Sequence, residues 1–258
     1  MQIEIEKRKN TAIEAAKKAG KVLAGSFKKP VSVKSKGNRQ LVTDIDLKAE
    51  DAIVRSIQAE FPNDNILSEE SRYPKHDTDV RWIIDPLDGT HNYIRGIDIF
   101  GTSIGVEYKG EVVIGVIYMP LTDELYVAQK QKGAYCNDKK INASKRPLKE
   151  STLIYDSSIR YNKALMLEGL DRLVDSVFNI RMFGSSARHL TDIAEGKAEI
   201  DVEFNDKVWD FAAGLLLVVE AGGMATDFQG KTWSTKTGGY IASNGIIHKD
   251  ILKLLSPQ

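Results

Sequence analysis

The sequence predicts an α+β fold, with an antiparallel sheet in the N-terminal half and mixed α/β structure in the C-terminal half. Between residues 100 and 137, β-rich runs follow one another across short turns, and Lys109-Gly110 is typical of a hairpin. After residue 150 the pattern changes, because predicted strands alternate with predicted helices. The segment 143–150 contains Pro147 and predicts a connector. We therefore expect two halves, residues 1–145 and 146–258, that share a ligand-binding cleft.

The N-terminal half begins with a predicted amphipathic helix over residues 12–27, which ends before Pro30. A short strand over 31–33 then leads to the polar segment KSKGNRQ, residues 34–40, which predicts a mobile loop. A second helix is predicted from Asp46 to Glu60. The remaining strands predicted in this half cover residues 65–68, 82–84, 100–108, 111–119, 124–129 and 133–137.

The C-terminal half contains shorter elements with clearer helical periodicity. Its predicted helices cover residues 162–175, 186–195, 209–220 and a terminal stretch that starts near His248. Its predicted strands cover residues 153–155, 177–183, 200–204, 224–228 and 240–243. The third of these helices is apolar and ends at Gly222-Gly223. Neither half contains an internal repeat or a low-complexity segment.

The charge balance of the chain excludes several classes of function. Its 258 residues include 36 Lys and Arg against 36 Asp and Glu, so no general attraction to nucleic acid or anionic membrane is expected. The single cysteine, Cys136, cannot form an internal disulfide. The charged N-terminus does not fit a secretory signal, and no apolar run reaches the roughly 18 residues of a membrane span. The sequence therefore predicts a soluble cytoplasmic protein without membrane or nucleic-acid partners.

The stretch WIIDPLDGTHNY, residues 82–93, carries most of the functional information. An apolar run typical of a buried strand leads to Asp85 and Asp88, which lie in a turn made by Pro86 and Gly89. Two carboxylates this close repel each other unless a cation lies between them. Thr90 follows directly, and its hydroxyl can orient a water molecule. Taken alone, such a turn is also explained as an Asx-rich end of a strand.

Three further acidic segments accompany this stretch: VTDID at 42–46, SEES at 68–71 and WDFAAG at 209–214. Helix capping, a solvated turn and a carboxylate at a helix N-terminus each explain one of them. Because they occupy strand ends and helix starts, we expect the acids to converge on the cleft, where their repulsion requires cations. Oxygen ligands without Cys or His favour Mg²⁺ or Mn²⁺, and two-metal carboxylate sites typically catalyse displacement at phosphorus. The chain contains neither a Gly-rich P-loop nor an EF-hand pattern.

In this order and spacing, VTDID, SEES, DPLDGTHNY and WDFAAG resemble the inositol monophosphatase family of Mg²⁺-dependent, lithium-sensitive phosphatases. The resemblance extends over nearly the whole chain, from the first helix to GYIASN. It implies a layered α-β-α-β-α sandwich and a phosphate monoester as the substrate. It also implies two to three Mg²⁺ ions, for which Mn²⁺ can substitute, and a homodimer.

The resemblance further implies roles for individual residues. Glu69, Asp85 and the carbonyl of Leu87 would bind the first Mg²⁺, Asp85, Asp88 and Asp210 the second, and Glu69 a weaker third. The second position is also where lithium would bind. The catalytic residues would be Asp46, Glu69 and Thr90, with the Thr90–Asp46 pair activating the attacking water.

Substrate contacts are implied at both ends of the site. The residues concerned are Gly89, Thr90, Gly184, Ser185, Ser186, Arg188, Glu203 and Asp210. The backbone N–H groups of Gly89 and Thr90 would bind phosphate, whereas GSSA at 184–187 is also explained as a turn with a helix N-cap. Arg188 is expected to face either a second phosphate or the surface.

Four aromatic or histidine side chains near these motifs receive a structural interpretation. Trp82 and Trp209 are expected to support the metal-binding loops from beneath. His91 is expected to point outward and His189 to be a packed or surface residue, so neither is predicted as a ligand or a base.

The leading hypothesis is a phosphomonoesterase that hydrolyses inositol 1-phosphate and related sugar phosphates. Fructose 1,6-bisphosphate and histidinol phosphate are alternative substrates, and Arg188 and the 34–40 segment are expected to decide among them. Asn92-Tyr93 argues against 3′-phosphoadenosine phosphate. A non-catalytic protein of this fold, binding RNA or a regulatory partner, would lack catalytic acids or carry a basic face. Here the acids are present and the formal net charge is zero.

Overall fold

The computed structural model describes residues 4–37 and 40–256. Asn38 and Arg39 of the predicted 34–40 loop lie outside the described residues. The helices are α1 (Ile5–Ser26), α2 (Asp44–Glu60), α3 (Thr90–Ile94), α4 (Lys163–Val174), α5 (Ser186–Ala194), α6 (Val208–Glu220) and α7 (His248–Leu255). None of the helices in this part of the chain is long and apolar enough to cross a membrane.

The strands form one large sheet, one small sheet and a hairpin. They are β1 (Val33–Gly37), β2 (Gln40–Thr43), β3 (Asn65–Ser68), β4 (Val80–Asp88), β5 (Gly101–Tyr108), β6 (Glu111–Met119), β7 (Glu124–Gln129), β8 (Gly133–Cys136), β9 (Lys139–Lys140), β10 (Thr152–Tyr155), β11 (Asn179–Arg181), β12 (Ile200–Glu203), β13 (Met224–Thr226) and β14 (Tyr240–Ser243). The large sheet has the order β3-β4-β5-β6-β7-β8-β9, with β3 and β4 parallel and the other pairs antiparallel.

The small sheet is mixed, as predicted for the C-terminal half. Its order is β11-β10-β12-β14-β13, in which β10 runs parallel to both β11 and β12. The β12–β14 and β13–β14 pairs are antiparallel. Since parallel neighbours need a crossover, α4 and α5 connect β10, β11 and β12.

These elements stack in five layers. α1 and α2 cover one face of the large sheet, and α5 and α6 cover the other face. The same α5 and α6 pack against the small sheet, whose far side is covered by α4 and α7. The predicted layered α-β-α-β-α sandwich is therefore confirmed.

The central layer joins the two halves of the chain. One buried cluster contains Ile83 and Tyr126 from the large sheet together with Leu190 of α5 and Leu215 of α6. Side chains from the predicted C-terminal half thus complete the core of the N-terminal sheet. The boundary near residue 145 divides the sequence but not this core, and the division into two halves that share a cleft remains a prediction.

Helix α6 approaches the large sheet closely because small residues line the contact. A Cβ atom added to Gly115 of β6 would lie 2.5 Å from the carbonyl oxygen of Ala213. Strand β6 therefore requires glycine at this position, since any side chain would push the helix away. The WDFAAG motif supplies the matching small surface, and the close packing holds the N-terminal part of α6 against the central strands β5 and β6.

The first helix is longer than predicted, beginning at Ile5 rather than at residue 12. Arg8 lies on its buried face, where the guanidinium donates to Asp64 at 2.9 and 3.0 Å. Asp64 also accepts a hydrogen bond of 2.9 Å from the indole N–H of Trp82. A charged residue on the buried face interrupts the apolar periodicity, so the pattern did not reveal the first two turns.

Part of the predicted 34–40 loop is a strand. β1 extends through Gly37 and pairs antiparallel with β2, with Lys34 opposite Val42 and Ser35 opposite Leu41. The prediction of an irregular loop was wrong for residues 34–37, because backbone pairing in a hairpin does not require apolar side chains.

Other boundaries differ by a few residues. α2 begins at Asp44 rather than Asp46, because Thr43 is its N-cap and accepts from the amides of Ile45 and Asp46. β4 continues past residue 84 to Asp88, and the predicted strand 177–183 is reduced to Asn179–Arg181. Tertiary pairing sets these limits.

We expect His248 to contribute to the pH dependence of stability. Its ring nitrogens lie 2.8 Å from the Thr226 hydroxyl and 2.9 Å from the Ser243 hydroxyl, and burial lowers its pKa to about 4. The unfolded chain takes up this proton near its ordinary pKa of 6.5, so the unfolded state binds more protons between pH 6.5 and 4. The free energy of unfolding should therefore fall as pH falls through this window, and less steeply in His248→Gln.

Urea unfolding at several pH values measures this difference. His76→Gln, at an exposed histidine, is the control and should parallel the wild type. Equal slopes for His248→Gln and the wild type between pH 6.5 and 4 would contradict the prediction.

Candidate active site

The parallel pair β3–β4 brings the first two acids together. In this register Ser68 lies opposite Ile84, so Glu69 and Asp85 are the next residues on neighbouring strands. The amide of Glu69 donates to the carbonyl of Ile84 at 3.2 Å, which holds Glu69 at the end of β4. Because parallel strands end at the same sheet edge, the two carboxylates line one cavity.

A bulge at the end of β4 brings Asp88 to the same edge. Asp85 pairs with Ser103 and Asp88 with Gly101 of β5, so the β4 side of this ladder carries one more residue than the β5 side. The amide of Leu87 donates to Asp85 Oδ1 at 3.0 Å inside the turn. This arrangement is the turn predicted from Pro86 and Gly89, and it places both aspartates on the cavity wall.

Gly89 makes the exit from this turn. Its φ is +88°, and a Cβ atom there would lie 2.9 Å from the carbonyl oxygen of Ile99. Glycine is required for both reasons, since a side chain would be strained in this conformation and would also clash. Helix α3 then starts at Thr90, and both Gly89 and Thr90 line the cavity.

The fourth acid comes from the central helix. Asp210 lies in the first turn of α6 and accepts the amide of Lys207 at 2.6 Å. Carboxylate oxygens of Asp85, Asp88 and Asp210 all lie within 4.8 Å of one another, close enough to bind a common ion. The cavity around them measures about 520 Å³. Of the residues predicted for the site, its walls contain Glu69, Asp85, Leu87, Asp88, Gly89, Thr90, Gly184, Ser185, Ser186, Glu203 and Asp210.

The carboxylates of the cavity raise one another's pKa. Burial raises the pKa of Asp85 well above its ordinary value, and the negative charges of Glu69, Asp88 and Asp210 raise it further. Burial raises the pKa of Asp88 to about 6, against the opposing hydrogen bond from Ser185. Burial, followed by the charges of Asp206 and Glu69, also raises the pKa of Asp210 well above its ordinary value. A divalent cation would remove this repulsion, and the all-oxygen donor set fits Mg²⁺.

Thr90 lines the cavity, and its side chain is hydrogen-bonded to the buried Asp46 behind it. The Thr90 hydroxyl lies 3.1 Å from both Asp46 Oδ1 and the carbonyl of Leu87. Asp46 is fully buried, and its Oδ2 accepts the amide of Thr43 at 2.8 Å in the capping box of α2. Burial raises the pKa of Asp46, although hydrogen bonds from Thr43 and Thr90 oppose the shift. The helix cap and the predicted catalytic pair thus share one carboxylate.

The GSSA segment connects the C-terminal half to the acidic cluster. Ser185 caps α5, and its hydroxyl also donates to Asp88 Oδ1. The amide of Ser186 donates to Asp88 Oδ2 at 3.1 Å. The side-chain amide of Asn92 holds the segment through the carbonyl of Phe183 at 2.7 Å. The N-cap and the site contact are therefore one arrangement, so the two interpretations of GSSA are compatible.

Several functional candidates escaped sequence reasoning. Asp206 lines the cavity four residues before Asp210, and burial with the charges of Asp156 and Asp201 raises its pKa to about 7. His189, predicted to be a packed residue, is buried but also lines the cavity. Neither residue lies inside a motif. The sequence signal for them is their short distance along the chain from GSSA and from WDFAAG. Further lining residues are Leu41, His91, Asn92, Asp156, Ser157, Ser158, Arg160, Tyr161, Met182, Phe183 and Asn205.

Arg188 does not line the cavity, which corrects its prediction as a substrate contact. Its guanidinium is largely buried and lies 2.7 Å from Glu124 and 3.1 Å from Asp192. It follows Ser185 on the first turn of α5 but points toward β7, away from Asp88. Arg188 lies on a different face of the helical turn from Ser186. Its ion pair with Glu124 connects α5 with the large sheet.

The five-layer fold and the converging carboxylates define a class of metal-dependent phosphatases. The chain belongs to the inositol monophosphatase family, whose family model matches residues 4–258. It is 34% identical over 254 residues to Nus factor SuhB of Pasteurella multocida, covering 96% of this chain and 95% of that protein. It is also 34% identical over 251 residues to the fructose-1,6-bisphosphatase/inositol-1-monophosphatase of Thermotoga maritima, covering 96% of each.

Solved structures agree with this assignment. The extragenic suppressor protein suhB of Bartonella henselae superposes with a TM-score of 0.92 at 35% identity, covering 96% of this chain and 97% of that one. An IMPase/NADP phosphatase complexed with Mg²⁺ and phosphate superposes with a TM-score of 0.79 at 25% identity, covering 88% of this chain and 87% of that one.

We expect Arg188→Ala to reduce stability without changing substrate preference. The variant leaves Glu124 and Asp192 without their shared cation, which should cost about 1–3 kcal/mol in the free energy of unfolding. The ratio of kcat/KM for fructose 1,6-bisphosphate and inositol 1-phosphate should stay within about twofold, because the side chain does not reach the cavity. Arg55→Ala, at an exposed helix pair, is the stability control. A fall in kcat/KM confined to fructose 1,6-bisphosphate would contradict this expectation and would support Arg188 as a substrate contact.

We expect Asp85→Asn to stabilise the metal-free protein and to remove its response to Mg²⁺. The substitution keeps an oxygen acceptor for the amide of Leu87 but removes one buried charge from the cluster. The metal-free Tm should therefore equal or exceed that of the wild type, while the rise in wild-type Tm with added Mg²⁺ is lost. Asp51→Asn, on the exposed face of α2, should behave like the wild type. A lower metal-free Tm with an undiminished Mg²⁺ response would contradict the prediction.

Proposed function

We propose that the chain is a Mg²⁺-dependent phosphomonoesterase that hydrolyses inositol 1-phosphate and related sugar phosphates. The observation that carries the proposal is the convergence of the predicted acids in one cavity beside the Thr90–Asp46 pair. Carboxylates from β4 and α6 lie within ligand distance of one another, although more than 120 residues separate them in the sequence. Membership of the inositol monophosphatase family supports the same chemistry.

The residues present fit Mg²⁺. Glu69, Asp85 and the carbonyl of Leu87 would hold one ion, and Asp85, Asp88 and Asp210 would hold a second. Their oxygen-only donor set suits a hard cation. When bound, Mg²⁺ supplies positive charge for the phosphate oxygens and makes water more acidic. The structure of a related phosphatase with Mg²⁺ and phosphate is consistent with this choice.

Thr90 and Asp46 would handle the proton of the attacking water. The water would donate to Thr90 Oγ1, and the threonine hydroxyl would donate to Asp46 Oδ1, now 3.1 Å away. Asp46 is anchored by the N-terminus of α2, so the acceptor is oriented before the substrate arrives. Gly89 and Thr90, at the start of α3, would hold the phosphate with their backbone N–H groups.

A second group of lining residues favours a hydroxyl-rich leaving group. Glu203, Ser186 and Asp206 line the cavity and offer oxygen acceptors, while Gly184 turns the chain at φ +68°. Hydroxyl groups of a sugar or cyclitol would donate to these oxygens. Phosphate release would leave the free alcohol, with no covalent enzyme intermediate.

Fructose 1,6-bisphosphate is a second candidate. A relative of the same family carries both activities in its name, and the exposed Arg160 lines the cavity. Arg160, rather than Arg188, would then face the second phosphate. Histidinol phosphate stays an alternative that the acidic lining also accommodates.

A non-catalytic role in partner binding is the remaining alternative. Several relatives are named Nus factor SuhB, which describes those proteins. Against a purely non-catalytic role, this chain keeps all the predicted acids and the Thr90–Asp46 hydrogen bond. Homodimerisation, lithium inhibition and the absence of nucleic-acid partners remain predictions.

Phosphate release with and without Mg²⁺ tests the proposal. We expect Mg²⁺-dependent turnover of inositol 1-phosphate that exceeds turnover of fructose 1,6-bisphosphate, histidinol phosphate and 3′-phosphoadenosine 5′-phosphate. Thr90→Ala and Asp46→Asn should each lower kcat about 100-fold or more, because both remove the proton path. Thr90→Ser keeps the hydroxyl and should retain most of the activity.

Two results would overturn the proposal. Folded, Mg²⁺-binding protein that releases no phosphate from any of the four substrates would favour partner binding. Full activity in Thr90→Ala would remove the threonine from the mechanism and leave only the metal-binding part of the proposal.

A further inference from the structure

A buried histidine contacts Glu203, one of the acids that line the cavity. Nδ1 of His189 lies 2.8 Å from Oε1 of Glu203, and each side chain is about 2–3% exposed. Glu203 is the last residue of β12, and His189 lies in the first turn of α5. The contact therefore joins the helix that starts at the GSSA segment to the strand that ends at the cavity.

A second carboxylate, that of Asp201, lies near the same ring nitrogen. Oδ1 of Asp201 lies 3.5 Å from the same Nδ1, and Oδ2 of Asp201 accepts the Tyr240 hydroxyl at 3.1 Å. Asp201 is fully buried, and its Oδ1 has no hydrogen-bond partner among the described residues. The ring nitrogen thus faces two carboxylates, and a hydrogen on Nδ1 is shared most directly with the closer one, Glu203.

These three side chains also meet the distance requirement of a metal site, since their ligand atoms lie within 4.8 Å. The short contact between Nδ1 and Oε1 argues for a hydrogen bond instead, because it engages the nitrogen that an ion would need. With Oε1 held in this way, Oε2 is the carboxylate oxygen of Glu203 available to a ligand in the cavity.

The neighbourhood explains why Glu203 needs such a partner. Asp201, Asp206 and Asp156 surround it with negative charge, and burial adds to the cost of ionising it. A buried carboxylate surrounded by negative charge is stabilised by a hydrogen-bond donor and orients toward it. His189 is the basic side chain in contact with it, so the histidine decides where the carboxylate points.

We propose that His189 is a positioning residue that sets substrate specificity by fixing Glu203 as an acceptor for a hydroxyl group of the substrate alcohol. The inference rests on the proposed phosphatase function and adds a residue outside the metal-binding and proton-transferring groups. It implies that the histidine matters for polyhydroxylated phosphate esters and not for esters without hydroxyl groups. Asp201 places a second carboxylate 3.5 Å from the same ring nitrogen.

The experiment compares inositol 1-phosphate with phenyl phosphate, which has no hydroxyl to reach Glu203. His189→Leu removes the donor and should raise KM for inositol 1-phosphate roughly tenfold, the scale of one hydrogen bond to a charged group, with kcat within about twofold. KM for phenyl phosphate should stay within about twofold of the wild type. His189→Asn places an amide N–H near the Nδ1 position and should recover most of the difference.

Thr191→Val is the matched control on the same helix. Thr191 is fully buried and bonds the carbonyl of Ala187, but it does not line the cavity. It should leave both KM values unchanged. If His189→Leu fails to fold, His189→Gln, whose amide lies beyond the Nδ1 position, gives the same comparison between the two substrates.

Each outcome is decisive. A rise in KM confined to inositol 1-phosphate and reversed in His189→Asn supports the positioning role. Equal changes for both substrates, or none for either, overturn it. Wild-type protein that, in Mg²⁺, hydrolyses neither these two esters nor the other substrates of the phosphate-release test would overturn the proposed phosphatase function, which is a separate result.

Discussion

Repulsion among converging carboxylates is the constraint on which the rest of this structure depends. Glu69, Asp85, Asp88 and Asp210 come from three segments and line one partly desolvated cavity. Holding like charges there costs several kcal/mol in the absence of a cation. Packing elsewhere must offset this free-energy cost. The close contacts of α6 with the large sheet and the shared core cluster provide that stabilisation.

Each carboxylate is oriented by donors that leave part of it available. Asp85 accepts the amide of Leu87, Asp88 accepts from Ser185 and Ser186, and Asp210 accepts the amide of Lys207. Three of these four donors are backbone amides in a bulge and near helix starts, and the fourth is the hydroxyl of Ser185, the N-cap of α5. The site is therefore rigid because the secondary structure that surrounds it is rigid, an arrangement that suits preorganised catalysis.

Sequence reasoning was accurate where short-range pattern and environment agree. The apolar strands β5 and β6, the apolar helix α6 and the acidic motifs all have local signals, and the structure contains them within a few residues of the predicted bounds. The predictions were wrong where a charged partner far away in the sequence changes the environment of a residue. Arg8 lies on a buried face because Asp64 neutralises it, and Arg188 turns from the cavity because Glu124 and Asp192 bind it.

The sequence by itself determined the class of fold and predicted an acidic site for cations, because carboxylates that converge from several segments repel one another unless a cation is present. Tertiary structure alone decided which of these side chains contact one another. His189 lies on α5 and Glu203 ends β12, and the packing of α5 against β12 brings both side chains to the cavity that Asp206 also lines. Spacing from the GSSA and WDFAAG motifs indicates that these residues lie near the site, but the contact between His189 and Glu203 depends on packing between separate segments, which no local periodicity encodes.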